Sequence, residues 1–177
     1  MNNAEWLNKF KKIYPKKFVD AKDAFSHIHR GDRIFIGTGC GEPVYLVREL
    51  IAYIESYPKA FVDAEVIHIW TLGVAPYTEE KFKRNFRHNA FFIGANTRKA
   101  VNEGLADYTP IFLSKAPDLF RRRIIPIDVA LIQLSPPDKH GYMSYGISVD
   151  IVKSATESAD VVIAQVNENM PRTHGDS

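Results

Sequence analysis

Six short apolar runs set the tightest limit on what this chain can fold into. They are "RIFIG" from Arg33, "EVIHIW" from Glu65, "AFFIG" from Ala90, "TPIFL" from Thr109, "DVALIQLS" from Asp128 and "DVVIAQV" from Asp160. Most are nearly continuous in apolar character rather than alternating. That is the pattern of strands covered on both faces, as in a parallel sheet. Segments of helical period lie between them. "PVYLVRELIAYIESY" places Leu46, Val47, Leu50, Ile51 and Ile54 on one face, with Arg48, Glu49 and Glu55 outside it, and Pro43 suits its first position. "DAKDAFSHIHRGDR" offers Asp20 as an N-cap and Gly31 as a stop. "NTRKAVNEG" begins on a capping Asn96 or Thr97 and ends at Gly104, and "DIVKSATESA" begins at Asp150. Strand and helix alternating in this way imply an α/β domain, an open, mostly parallel sheet with helices on both faces.

With 177 residues, 45% of them hydrophobic, the chain can bury one sizeable core, and it suits one domain better than two. Residues 1–19 read as an N-terminal helical extension and 20–177 as the α/β domain. The formal net charge of +2 demands no polyanionic partner, so neither nucleic acid nor a membrane is expected. Lys9, Lys11, Lys12, Lys16 and Lys17 interleave with Phe10, Ile13, Tyr14 and Phe18, as on the solvated face of a leading helix. Arg121, Arg122 and Arg123 read as the basic last turn of another. The one cysteine, Cys40, excludes an internal disulfide. No secretory pattern is visible and no apolar run approaches the roughly 20 residues of a bilayer span. A soluble, reducing, cytoplasmic setting is therefore the expectation.

Three loops follow strands and are rich in special-backbone residues: "GTGCGEP" from Gly37, "SPPDKHGYMSYG" from Ser135 and "NENMPRTHGDS" from Asn167. Ligands of open α/β sheets bind outside the carboxyl ends of strands, so all three are expected on one edge. The last also reads as cut in the middle of an element. The first does not fit a dinucleotide fingerprint. Its glycines run Gly-x-Gly-x-Gly, the helix begins only at Pro43, and "EVIHIW" ends in Trp70 rather than an acidic ribose ligand. Free N–H groups at that turn suit an anion or a ligand carbonyl. Glu42 reads as a cap for the helix from Pro43, or else as a nucleophile or base. Cys40 reads as a small half-buried residue, since no Cys–His–Asn or Cys-x-x-Cys pattern supports it as a nucleophile. The six histidines form no metal motif. His27 and His29 fall on different sides of a helix, His68 in a strand, and His140 and His174 in the two later loops. There is no Gly-x-Ser-x-Gly elbow and no P-loop.

Several strings together resemble a known family. "GDRIFIGTGCGEPVYLV", "FRHNAFFIGANTRKAVNEGLADYTPIFLS", "IPIDVALIQLSPPDKHGYMSYGISVD" and "VVIAQVNENMPRTHGDS" resemble the N-terminal domain of the acetyl-CoA hydrolase/transferase family, nearest its 4-hydroxybutyrate CoA-transferase type. The likeness runs from about Asp20 to Ser177, and implies a CoA-transferase-like fold. It also implies transfer of coenzyme A from an acyl-CoA to a short-chain carboxylate, with CoA and acyl-CoA as substrates and no permanently bound cofactor. A glutamate attacks the thioester, CoA thiolate then attacks the mixed anhydride, and an enzyme glutamyl-CoA thioester results. The oxyanions formed at each step need backbone donors.

In the family the nucleophile lies in a C-terminal domain, so the resemblance implies no catalytic residue in this chain and makes that domain its partner. Carried over, Thr38, Gly39, Gly41 and Glu42, with Ser135, Pro136, Asp138, His140 and Gly141, would line the active site. Asn167, Pro171, Arg172 and Thr173 would bind substrate or CoA. Arg172 is either a cation for a carboxylate or phosphate or an interdomain ion pair. Family members can carry histidine at the Thr38 position, so Thr38 supplies at most one hydrogen bond there. Other readings stay open: an acetyl-CoA hydrolase, a free acyl-CoA or carboxylate-binding domain or subunit, a homo-oligomer, and, more distantly, a nucleotide-binding oxidoreductase.

Overall fold

A computed structural model describes residues 3–73 and 75–175. Six strands, β1 (Arg33–Ile36), β2 (Ala64–His68), β3 (Phe86–Ala90), β4 (Asp107–Tyr108), β5 (Ile127–Leu134) and β6 (Ala159–Val166), form one sheet in the order β4-β3-β2-β1-β5-β6. Every neighbouring pair is parallel. The helices are α1 (Asn3–Ile13), α2 (Ala21–Phe25), α3 (Val44–Ser56), α4 (Ala95–Asn102), α5 (Ala116–Arg121) and α6 (Val152–Ser158).

The continuous apolar runs are explained by two cores, one on each face of the sheet. Ile34, Ile36, Val129 and Leu131 point to one face and pack with Phe25 of α2 and Val47, Leu50 and Ile54 of α3. Phe35, Ala130 and Ile132 point to the other and pack with Phe120 of α5 and Val152 and Ala155 of α6. Alternate side chains of one strand thus serve opposite cores.

The chain starts at mid-sheet, builds outward through β2 to β4, then returns to the other side of β1. The switch in direction lies between β1 and β5, the position at which open α/β sheets bind ligands.

The structure departs from the sequence-based expectation in four local places. The third strand is "FRHNA", not "AFFIG". It alternates buried and exposed residues, so a search for continuous apolar character slides past it into its exit loop. "TPIFL" is not a strand: only Asp107 and Tyr108 pair with β3, and Phe112 is 82% exposed. α2 stops at Phe25, so exposed His27 and His29 lie beyond its end, although Asp20 caps it as expected by accepting from the Asp23 N–H at 2.8 Å. α4 begins at Ala95 after Gly94, because the Asn96 amide is turned to the Gly73 carbonyl at 3.1 Å instead of capping its own helix.

Candidate functional site

Because all six strands are parallel, the loops leaving them share one edge. Gly37 extends the ladder by donating to the Leu131 carbonyl at 2.8 Å, and the chain then turns through a short 3-10 segment, Gly39–Gly41. Thr38 is buried there. Its hydroxyl donates to Asp150 Oδ2 at 2.5 Å, and its carbonyl accepts from the Ser148 hydroxyl at 2.9 Å. A Cβ on Gly41 would lie 2.5 Å from Ser148 Cβ, so only glycine admits the Ser148 backbone this closely. The end of the loop after β5 is thereby locked onto the loop after β1, across the switch point.

Glu42 does not cap α3. Its side chain turns away from the helix and is only 4% exposed. Oε2 accepts from the Thr71 hydroxyl at 2.6 Å and from the Leu72 and Gly73 N–H groups at 3.1 and 3.0 Å. Oε1 is buried with no hydrogen-bond partner. Three donors on one loop outcompete the first turn of α3, whose Leu46 N–H is taken by Gln165 Oε1 at 3.4 Å. The loop after β2 is therefore part of the edge. It bonds to Glu42, its Trp70 carbonyl accepts from the Gly39 N–H at 2.9 Å, and Trp70 meets Phe92 edge-on at 6.2 Å.

The second and third loops are fastened to each other. Asp138 Oδ1 accepts from the N–H groups of His140 and Tyr142 at 2.8 and 3.0 Å. Burial opposes its ionisation. The two backbone donors, aided by the Arg172 guanidinium, outweigh burial and hold the carboxyl below its ordinary value. Arg172 Nη2 donates to the carbonyls of Pro136 and Tyr142 at 2.7 and 2.9 Å, and Nη1 lies 3.7 Å from Asp138 Oδ2. Arg172 is thus held as a brace between two loops of its own domain.

Ser144 is the second fastening. Its oxygen accepts from the N–H groups of Gly146 and Thr173 at 3.0 and 3.1 Å, and lies 2.7 Å from the Thr173 hydroxyl. A hydroxyl has two lone pairs and one proton. The two N–H groups fill the lone pairs, so the Ser144 proton goes to Thr173. Ser144 N–H in turn donates to Ser135 Oγ at 2.9 Å. Ser144→Ala leaves a buried N–H group at Gly146 and a half-buried one at Thr173 unpaired and is expected to lower unfolding free energy by about 2 kcal/mol, measurable by denaturant titration. A shift below a few tenths of a kcal/mol would show that Ser144 does not hold the loops.

The remaining expected residues occupy the same edge. Gly141 lies against the ring of Phe10 from α1, which a Cβ there would meet at 3.1 Å. His140 is exposed, its ring centre 6.5 Å from that of Tyr142. Asn167 donates from Nδ2 to Gln133 Oε1 at 3.0 Å, and Gln165 Nε2 donates to the same oxygen at 3.0 Å. Pro171 is exposed. Cys40 is exposed rather than half-buried. His174 is exposed.

The sequence reading missed Gln133, Gln165, Ser144, Ser148, Asp150 and the Thr71–Gly73 loop. For Gln133, Gln165 and the Thr71–Gly73 loop the signal available was topological, because they lie at or just beyond the carboxyl ends of strands; Ser144, Ser148 and Asp150 lie deep in the segment between β5 and α6. Among the described residues no three His, Cys, Asp or Glu side chains are placed to hold a metal ion. Nor is any helix long and apolar enough to cross a membrane.

Comparison with known proteins identifies this arrangement. Residues 1–177 match the acetyl-CoA hydrolase/transferase N-terminal domain. The chain belongs to the acetyl-CoA hydrolase/transferase family. It is 48% identical to 4-hydroxybutyrate coenzyme A transferase of Clostridium kluyveri over 98% of this chain and 38% of that protein. It is 42% identical to the succinyl-CoA:acetate/propanoyl-CoA:succinate CoA transferase of Fasciola hepatica, over 93% of this chain and 34% of that one. Among solved structures, RipA from Yersinia pestis superposes with a TM-score of 0.82 at 25% identity, over 94% of this chain and 40% of RipA. The chain thus spans little more than a third of the length of the relatives it matches.

Proposed function

We propose that this domain is the N-terminal half of a CoA-transferase that moves coenzyme A between an acyl-CoA and a short-chain carboxylate such as 4-hydroxybutyrate. The reaction runs through an enzyme glutamyl-CoA thioester. The observation that carries this reading is the 48% identity to a 4-hydroxybutyrate transferase across 98% of the chain. The geometry supports the division of labour. Glu42, the one glutamate in the first loop, is buried and its Oε2 is saturated by three donors, so it is not available as the nucleophile. The nucleophile then comes from a C-terminal domain facing this edge.

In the exchange, the glutamate carboxylate attacks the acyl-CoA carbonyl and CoA thiolate leaves. The thiolate attacks the glutamyl carbonyl of the anhydride and the first acid leaves as its carboxylate. The incoming carboxylate reverses both steps, so no outside energy source is needed. The domain's contribution is a fixed wall. The loops holding Thr38, Ser135, Asp138 and Asn167 are each tied by hydrogen bonds to another loop or strand end, and a wall fixed before binding loses little entropy when substrate docks.

The full-length protein is expected to transfer CoA from acetyl-CoA to 4-hydroxybutyrate, and residues 1–177 alone to show no turnover. Assay of both with product analysis, with and without acetate, checks this. Release of free CoA without a carboxylate acceptor would mark a hydrolase instead. Turnover by residues 1–177 would overturn the placement of the nucleophile.

A further inference from the structure

The loop after β2 begins and ends in one buried cluster. The chain leaves the sheet at His68, the last residue of β2, and returns at Tyr77 in a 3-10 turn over Pro76–Thr78. Those two ends pack together. The Tyr77 ring lies edge-on to His68 with centres 6.1 Å apart, and tilted against His88 of β3 at 5.4 Å. The imidazoles of His68 and His88 meet through their Nε2 atoms at 2.8 Å. All three side chains are at most 2% exposed. Between the ends the loop stands at the carboxyl edge, with Trp70 and Leu72 40% and 53% exposed. Its Thr71–Gly73 stretch is held by Glu42 Oε2 and by Asn96, which donates to the Gly73 carbonyl at 3.1 Å.

This neck has no place for a charge. Among the described residues four buried side-chain atoms lack a hydrogen-bond partner, namely Glu42 Oε1, Tyr77 Oη, His68 Nδ1 and His88 Nδ1. Native interiors leave few such atoms. Here three belong to the neck, and the fourth to the carboxylate that holds the loop. Two neutral imidazoles share one proton across the Nε2 pair. A further proton goes onto an Nδ1 atom, and neither Nδ1 has an acceptor. Tyr77 faces the pair, and Glu42 faces Tyr77. Burial, and then the Glu42 charge, pushes the Tyr77 hydroxyl well above its ordinary value, so it stays neutral. The other elements on this face present apolar side chains to the neck. β1 contributes Ile34 and Ile36. α3 buries Val47, Leu50, Ile51 and Ile54 and keeps Arg48, Glu49 and Glu55 outside that stripe. Glu79, Glu80 and Lys81, which follow Tyr77, are exposed. Glu65 and Arg87 alternate to the other face of β2 and β3.

We propose that this neck is an acid-operated latch: proton uptake by His68 and His88 parts the imidazoles from Tyr77 and frees Trp70–Gly73 from the edge while the sheet stays folded. The drive is desolvation. A cation formed in the neck has no partner there, and hydrating it requires the covering turn to lift. β1 and β5 contribute no side chain to the latch itself, so their pairing does not depend on it. In the open form each imidazole titrates near its ordinary value of about 6.5, whereas His88 in the closed form titrates at about 4. The open form therefore holds more protons between those values, and opening becomes easier as pH falls. For His88 the gain is about twentyfold between pH 7 and pH 5. The inference concerns a loop of this chain and does not rest on the functional reading.

Residue-resolved hydrogen–deuterium exchange on the full-length protein tests it, read as protection factors so that the pH dependence of intrinsic exchange cancels. The Leu72 and Gly73 amides, which donate to Glu42, report the loop. The Gly37 amide, which donates to Leu131, and those of β5 report the sheet. Protection at Leu72 and Gly73 is expected to fall by about twentyfold or more from pH 7 to pH 5, and to stay below that of the sheet at both. In His88→Leu the fall is expected to be smaller by about twentyfold. Each ratio is taken within one protein, so a general loss of stability does not alter it. Glu42→Gln accepts the same donors without titrating and is expected to keep the fall. A fall of less than about threefold in the unmodified protein overturns the proposal. So does a fall undiminished in His88→Leu, and so does one abolished in Glu42→Gln, which assigns it to Glu42. Protection at Leu72 and Gly73 equal to that of the sheet also overturns it, because the loop then opens only with the whole domain.

Discussion

Glu42→Ala is expected to be among the most damaging single substitutions at this edge, lowering unfolding free energy by about 4 kcal/mol. The carboxylate accepts three hydrogen bonds through one oxygen, from the Thr71 hydroxyl and the Leu72 and Gly73 N–H groups. Hydrogen bonds to a charged acceptor contribute about 1.5–3 kcal/mol each, and donors left unpaired in a buried site keep their full desolvation cost. Some relaxation of the loop toward solvent reduces the sum, which places the net effect near the cost of breaking other buried charged networks. Glu42→Gln keeps a carbonyl oxygen in position for all three donors and is expected to lose less than half as much. Urea unfolding of the three proteins checks both statements. Equal losses for alanine and glutamine would show that charge, not acceptance by one oxygen, holds the loop. A loss under 1 kcal/mol for alanine would remove Glu42 as its anchor.

Acid is expected to destabilise the domain steeply between pH 6.5 and 4. His68 and His88 lie side by side on β2 and β3, both almost wholly buried, with their Nε2 atoms 2.8 Å apart and both Nδ1 atoms unpartnered. Such a pair is stable only with both rings neutral, one donating and one accepting. Burial, and then the neighbouring His88, pushes His68 well below the usual imidazole range. Burial lowers His88 to about 4. The unfolded chain takes up a proton at each ring as pH falls through about 6.5, while in the folded chain His88 does not until pH nears 4 and His68 stays neutral well below the usual imidazole range. The unfolded state therefore holds more protons throughout that window, and stability rises with pH. The contribution is fully present above pH 6.5 and is lost on the way down to 4, at about 1.4 kcal/mol per pH unit for each ring. For His88 alone the loss comes to about 3 kcal/mol. Denaturant midpoints measured across this range should show it. His88→Leu should halve the slope, and a slope that does not change would assign the acid sensitivity elsewhere.

The architecture was legible because both faces of the sheet are buried, which writes strands such as β1 and β5 as unbroken apolar strings. β3 was misplaced because its outward positions, such as Arg87 with its 2.7 Å contact to Asp63, interrupt that signal. The loops after β1, β5 and β6 were found from their glycines and prolines. The loop after β2 was not, because Thr71 and Leu72 are ordinary residues whose partner, Glu42, lies 29 or more positions earlier. Asp150 reads as the start of α6 in sequence, but the helix begins at Val152, and Asp150 lies just ahead of it with Oδ1 accepting from the Ile151 and Val152 N–H groups. Its other oxygen bonds Thr38, 112 residues away, and no local pattern announces a contact of that range. Glu42 was misread for the same reason. A carboxylate just before a helix predicts a cap, and only the fold brings in three better donors.

The coupling of the second and third loops has a consequence for how such a domain can change over time. Ser144 and Thr173, and Arg172 with the carbonyls of Pro136 and Tyr142, divide one set of bonds between two segments about 30 residues apart. Neither segment can be rewritten alone without stranding the polar groups of the other. A graft of one loop from a relative would start with a stability deficit, whereas a graft of both would bring its own fastenings. Changes in either loop of this domain are therefore inherited in matched pairs.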